Sequence, residues 1–73
     1  MDIRRLVGLN VQRLRREKGW SQEDLAFESG LHRTYVSGIE RGKRNPTVVI
    51  LARLAKALGT DAAELVCSRK KSG

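Results

Sequence analysis

The chain has 73 residues and a formal net charge of +7, with 15 Lys and Arg against 8 Asp and Glu. This length allows one small domain, and pairing with a second subunit would help to stabilise so small a core. The sequence has no apolar run long enough to span a membrane, no apolar signal-peptide segment, and a single cysteine, which excludes a disulfide within one chain. These exclusions favour a cytoplasmic protein. The positive charge suggests an anionic partner such as nucleic acid, although it could equally serve only to solvate the surface.

The first helix is predicted over residues 1–18, with Asp2 as its N-cap and Gly19 as its C-terminal stop. At 100° per residue it has one broad apolar face, which comprises Ile3, Leu6, Val7, Val11 and Leu14. Arg15 lies at the rim of that face. A partly buried arginine there needs a partner of opposite charge.

The second helix is predicted to begin at a capping box made by Ser21 and Asp24. Trp20 before the cap and Leu25 after it form a hydrophobic staple in this prediction. Gly30 stands where a residue in the left-handed conformation would end the helix. The sequence therefore predicts a short helix closed by a tight turn.

The third helix is predicted over residues 32–41, and its two faces differ in chemistry. The apolar arc carries Tyr35, Val36 and Ile39. The opposite arc is small, polar and cationic, and carries Arg33, Thr34, Ser37, Gly38 and Arg41. One face is expected to pack on the core and the other to meet a partner. Two short helices joined by a tight turn in this way are typical of a helix-turn-helix, in which one helix supports another in the DNA major groove.

A fourth helix is predicted from Thr47, its cap, to about Leu58. Its buried face comprises Ile50, Leu51, Leu54, Ala55 and Leu58. A short fifth helix begins with Asp61 and Glu64 and reaches about Cys67, which we expect to be a small, partly buried apolar residue without a redox or metal role. The sequence thus predicts an all-α, five-helix domain over residues 1–67 and a basic, disordered tail over residues 68–73.

Residues 2–65 resemble the Cro and phage-repressor type of helix-turn-helix regulators, whose DNA-binding domain is the compact, five-helix, lambda-repressor-like fold. The most specific matches lie at residues 21–26, 30–31, 36–37 and 39–42. Residues 31–37 further resemble controller proteins of restriction-modification systems. The resemblance implies a transcriptional regulator that acts as a dimer on an inverted repeat in double-stranded DNA, with helix 3 in the major groove.

Three residues of helix 3 are candidates for contacts with DNA bases. Arg33 stands at the end of the helix that enters the groove most deeply in this family, and arginine can donate two parallel hydrogen bonds to guanine. Thr34 and Ser37 are the other two candidates, and for all three a phosphate contact is the alternative. Gly38 is either a position that lets the helix backbone approach DNA closely or simply a tolerated glycine.

Contacts with the DNA backbone are expected on both sides of helix 3. The resemblance assigns Gln22 a phosphate contact, aided by the N-terminal amides of helix 2. A basic segment, which either clamps the sugar-phosphate backbone or is only solvated, comprises Arg41, Lys43, Arg44 and Asn45. Tyr35 either packs at the core edge or reaches DNA through its hydroxyl. His32 replaces the usual Ser, Thr or Asp cap of helix 3, and is either an exposed residue or a phosphate contact.

The resemblance also predicts one internal ion pair and one subunit contact. Arg15 and Glu40 would form a buried bridge that fixes the tilt of helix 3. The dimer is expected to use the end of helix 4 and helix 5, with the contact residues Leu58, Ala62, Leu65 and Val66. The alternative for these four residues is packing back onto helix 4.

The sequence therefore favours a sequence-specific DNA-binding regulator. Its expected partners are an operator duplex, a second copy of the chain and possible contacts with RNA polymerase, with no cofactor, metal or membrane. The rival is a protein-interaction module, antitoxin-like or a scaffold, built on the same fold. An enzyme is disfavoured, because one His, one Cys and no metal-ligand spacing leave no catalytic set.

Overall fold

The computed structural model describes residues 2–68, which form five helices and no strand. The helices are α1 (Ile3–Glu17), α2 (Gln22–Ser29), α3 (Arg33–Glu40), α4 (Val48–Leu58) and α5 (Ala62–Leu65). The predicted all-α class with five helices is thereby confirmed. Most of the predicted tail, residues 69–73, lies outside the described residues. None of the helices in the described part of the chain is both long and apolar enough to cross a bilayer.

Side-chain caps set most of the helix boundaries. The Asp2 carboxylate accepts a hydrogen bond from the N–H of Arg4 at 2.9 Å. The capping box of α2 is complete, with Ser21 Oγ accepting from the N–H of Asp24 at 3.0 Å and the Asp24 carboxylate accepting from the N–H of Ser21 at 2.9 Å. His32 makes no side-chain capping bond, and α3 accordingly begins one residue later than predicted, at Arg33.

A single core unites the five helices. Ten apolar side chains are buried in it: Val7, Val11, Leu25, Ala26, Val36, Ile39, Leu54, Ala55, Leu58 and Leu65. The predicted apolar faces of α1, α3 and α4 supply seven of these, and Leu25 and Ala26 are the residues expected to face inward from α2. Ile3, predicted on the apolar face of α1, is 52% exposed, because it lies in the first turn of the helix, before the buried residues begin at Val7.

Two residues of α1 that the periodicity did not single out fix its position. Gly8 lies so close to the end of α3 that an added Cβ would meet the carbonyl oxygens of Ile39 and Glu40. Asn10 is buried, and its amide nitrogen donates to the carbonyl oxygens of Leu65 at 2.9 Å and Cys67 at 3.0 Å. Gly8 therefore lets α1 and α3 touch, and Asn10 ties α5 to α1.

Burial at the end of the chain differs from the sequence expectation. Leu58 and Leu65, predicted as dimer contacts, are buried in the core of their own chain at 5% and 0% exposure, which favours the alternative of packing within one chain for these two residues. Cys67, predicted to be partly buried, is exposed, because α5 ends at Leu65 and the chain then leaves the core.

Candidate nucleic-acid interface

Helix α3 presents a polar surface on the side opposite its core residues. Val36 and Ile39 are buried between α3 and its neighbours. Arg33 and Thr34 are exposed, and Ser37 is half-buried. The three predicted base-contacting residues therefore share the outer surface of one helix. This surface is open to a partner at Arg33 and Thr34 and partly open at Ser37.

An ion pair fastens the C-terminal end of α3 to α1. Arg15 Nε donates to Glu40 Oε2 at 2.6 Å and Arg15 Nη2 donates to Glu40 Oε1 at 2.9 Å, with side chains only 10% and 1% exposed. The third guanidinium nitrogen donates to the carbonyl oxygen of Trp20 at 2.7 Å. The hydrogen bonds to Glu40 raise the pKa of Arg15 above its ordinary value, against the opposing effect of burial. A two-bonded pair of this kind fixes orientation as well as distance.

Gln22 has a structural contact that the sequence analysis missed. Its amide nitrogen donates to Glu40 Oε1 at 3.1 Å, so the first residue of α2 joins the ion pair that holds α3. Gln22 is half-buried rather than fully free for a phosphate. One carboxylate thus connects α1, α2 and α3. Only the folded chain brings these residues together, since 18 positions separate Gln22 from Glu40.

The chain turns back along α3 immediately after it ends. Gly42, with φ +72°, makes the turn, and the N–H of Lys43 donates to the carbonyl oxygen of Gly38 at 2.9 Å. The residues of the predicted basic segment, Arg41, Lys43, Arg44 and Asn45, are all exposed beside α3. The guanidinium carbon of Arg44 lies 5.4 Å from the centre of the Tyr35 ring. Tyr35 itself is half-buried at the edge of the core.

Gly38 is not the open position that the helical projection predicted. It is buried, and a Cβ added to it would lie 2.9 Å from Cγ of Arg44. The reason is the turn at Gly42, which lays the following segment over this part of α3. A projection of one helix contains no information about a segment that folds back onto it.

The surface formed by α3 and the following loop is strongly positive. Residues 33–47 contain Arg33, Arg41, Lys43 and Arg44 and a single acid. That acid is Glu40, which is buried and already paired with Arg15. The exposed charge of this surface is therefore entirely positive, as a phosphate backbone requires.

The predicted subunit contact retains two accessible residues. Ala62 is half-buried and Val66 is 41% exposed. Val66 lines a shallow, largely apolar groove together with Ile3, Pro46 and Leu51. Sequence reasoning did not place Ile3 and Pro46 beside Val66, because they lie far from helix 5 along the chain.

A capped short helix, a tight turn and an exposed cationic helix held by a buried ion pair define a helix-turn-helix domain. Comparison with known proteins gives the family: residues 11–65 match the helix-turn-helix family, and the chain belongs to it. The family and the resemblance to controller proteins that the sequence predicted are confirmed.

Three relatives illustrate the match. The HTH-type transcriptional regulator y4dJ of Sinorhizobium fredii is 56% identical over 66 residues, covering 90% of this chain and 86% of the relative. The restriction-modification controller protein C.AhdI of Aeromonas hydrophila is 48% identical, with a TM-score of 0.82 over 85% of this chain and 94% of that one. The controller protein C.Esp1396I, crystallised as a tetramer with its natural 35-base-pair operator, is 40% identical, with a TM-score of 0.81 over 89% of this chain and 86% of that one.

Proposed function

We propose that this protein is a transcriptional regulator that binds an operator in double-stranded DNA as a homodimer, with α3 of each subunit in the major groove. The observation that carries the proposal is the outer surface of α3, which is polar, free of unpaired acids and bordered by an exposed basic loop. The operator-bound structure of the similar protein C.Esp1396I supports it. The rigid attachment of α3 to α1 and α2 suits a helix that must enter a groove in one orientation.

Within this proposal the residues divide between base and backbone contacts. Arg33 reads guanine through two hydrogen bonds, while Thr34 and Ser37 contact neighbouring base edges. The contacts with phosphate and sugar, which set register and affinity, come from Gln22, Arg41, Lys43, Arg44 and Asn45. Tyr35 takes the alternative role at the edge of the core, against which it is packed. The side-chain amide nitrogen of Gln22 donates to Glu40. The backbone N–H groups at the start of α2 lie beside Gln22 and assist its contact with a phosphate in this proposal.

The second subunit is proposed to cover the groove at α5. The groove is lined by the apolar side chains of Ile3, Pro46, Leu51 and Val66, with Ala62 nearby on α5. A two-fold axis there would pair the same surface on both subunits. Two copies of α3 would then enter successive major grooves about 34 Å apart, and the operator would consist of two half-sites about one helical turn apart.

Regulation would follow from where the operator lies relative to a promoter. A bound dimer blocks RNA polymerase when the sites overlap and assists it when the dimer offers a contact beside it. The similarity to C.AhdI favours a controller role in a restriction-modification system, including control of its own promoter. The proposal places the protein in the cytoplasm with its DNA, and it assigns no catalysis, because the similar proteins are a transcriptional regulator and restriction-modification controller proteins.

The test is selection of bound duplexes from a random pool by the purified protein, followed by sequencing. The proposal predicts an enriched inverted repeat whose binding weakens as salt rises, because each neutralised phosphate releases counterions. Salt-sensitive binding without an enriched motif would contradict sequence-specific regulation. The protein-interaction alternative would then become the favoured function.

A further inference from the structure

We infer that Gly38 and Tyr35 are positioning residues that hold Arg44 on the outer surface of α3, so that the loop cation meets DNA from a fixed place. The inference rests on the proposed function, because Arg44 is assigned a DNA contact there. The roles inferred for Gly38 and Tyr35 differ from those that the sequence indicated. Gly38 makes room for another side chain, and Tyr35 acts through its ring face.

The first observation is how closely the stem of Arg44 lies against Gly38. A Cβ at position 38 would lie 2.9 Å from Cγ, 3.3 Å from Nε and 3.6 Å from Cδ of Arg44. Gly38 is buried although it stands on the outer side of α3. Because glycine has no side chain, the aliphatic stem of Arg44 has room to lie against it. Any larger residue at position 38 would push this exposed side chain away from the helix.

The second observation is the position of the guanidinium group of Arg44. The guanidinium carbon of Arg44 lies 5.4 Å from the centroid of the Tyr35 ring. Tyr35 precedes Gly38 by three residues, so the two lie side by side on α3 and the arginine extends along the helix from one to the other. A guanidinium over an aromatic face is attracted by the electrons of the ring.

The third observation is that a backbone hydrogen bond also attaches the loop to α3 at Gly38. The N–H of Lys43, the residue before Arg44, donates to the carbonyl oxygen of Gly38 at 2.9 Å. Backbone, stem and charged end of this segment are therefore each held by α3. Arginine loses much rotamer freedom when it is fixed, and here that loss occurs on folding rather than on binding, which favours affinity.

The first experiment uses the free protein and measures the mobility of arginine Nε–Hε groups by NMR relaxation. We expect Arg44 to be more ordered than the exposed Arg33, and to become mobile in Gly38→Ala and Tyr35→Leu but not in Tyr35→Phe, which keeps the ring. Equal mobility of Arg44 and Arg33 in the wild-type protein would overturn the inference. This readout needs no DNA, so it decides the inference even if the proposed function fails.

The second experiment is a double-mutant cycle on the duplex that the wild-type protein selects. Gly38→Ala is expected to weaken binding roughly three- to tenfold in the wild-type background, and less than about twofold when Arg44 is already alanine. An equal loss in both backgrounds would mean that the added methyl group itself obstructs DNA, and would overturn the inference. Alanine has the higher helix propensity, so a weaker α3 cannot explain the loss.

Tyr35 is tested on the same duplex with two variants. Tyr35→Phe is expected to bind within about twofold of the wild-type protein, and Tyr35→Leu to lose as much as Gly38→Ala. Equal losses in both variants would assign the effect to the hydroxyl and overturn the role of the ring. Failure of the wild-type protein to select any duplex would instead refute the proposed function alone.

Discussion

Glu40 is the residue on which the position of α3 depends most. Its carboxylate accepts two hydrogen bonds from Arg15 and one from Gln22, and it is almost completely buried. Burying two charges costs solvation energy that is regained only while both partners remain. The pair therefore specifies one arrangement of α1, α2 and α3 more than it adds net stability.

Replacing Glu40 with Gln leaves the guanidinium of Arg15 buried without a counter-charge. We expect the free energy of unfolding to fall by about 3–5 kcal/mol, and DNA binding to weaken as a consequence. Urea denaturation measures the first effect. The matched control is Glu28→Gln, an exposed position in the last turn of α2, which should change stability by less than about 0.5 kcal/mol. Unchanged thermal melting of the Glu40 variant would refute this role.

Asp2 provides a pH-dependent contribution at the start of α1. The hydrogen bond from the Arg4 side chain, more than any other cause, lowers the pKa of this carboxyl below its ordinary value. A lowered pKa in the folded state stabilises the protein above the ordinary Asp value, and this contribution is lost as pH falls through the lowered pKa. Asp2→Asn keeps a capping side chain and removes only the charge.

The measurement for Asp2 is the difference in stability between the wild-type protein and Asp2→Asn across an acid titration. We expect a constant difference at neutral pH that shrinks as the solution becomes more acidic than the ordinary pKa of Asp. A difference that stays the same down to about pH 2 would show that the ionised carboxylate does not act at this cap.

At the scale of elements, α5 is a four-residue helix that α1 holds in place. Leu65 inserts into the core and Asn10 donates to the carbonyl oxygens of Leu65 and Cys67. A helix this short has little stability of its own and depends on such contacts. The position of the proposed subunit surface therefore depends on a side chain of α1.

Asn10→Ala removes both hydrogen bonds and leaves a buried carbonyl oxygen without its donor. We expect a loss of about 1–3 kcal/mol in stability, with faster hydrogen exchange confined mainly to α5. Asn45→Ala, at an exposed position in the loop, is the control and should leave stability within about 0.5 kcal/mol. Equal exchange rates in α5 of both variants would contradict the anchoring role.

The local features of the elements could be predicted from the sequence, and the contacts between them could not. The caps at Asp2, Ser21 and Thr47 are formed as predicted, because each depends on residues within three positions. The partner of Gln22 and the cover over Gly38 depend on segments that fold back, which periodicity does not describe. The pairing of Arg15 with Glu40 entered through the family resemblance.

In the whole molecule, the proposed dimer interface determines the distance and orientation between the two copies of α3. Val66→Asp puts a charge into the apolar groove without touching the monomer core, so we expect a monomeric mass in sedimentation equilibrium at concentrations where the wild-type protein is dimeric. Phe27→Asp, at a side chain that is 84% exposed on α2, is the control and should leave the mass unchanged. A dimeric Val66 variant would exclude the groove as the interface.

Sequence reading by α3 of a dimer can be tested by the selection of duplexes from one random pool by the wild-type protein and by Arg33→Lys in parallel. Lysine keeps the charge but cannot donate two parallel hydrogen bonds to one guanine. We predict an inverted repeat for both proteins, with the preference at one base pair of each half-site relaxed in the variant, equivalent to about 1–3 kcal/mol. Identical motifs, or no motif with the wild-type protein, would contradict base recognition by Arg33 on α3.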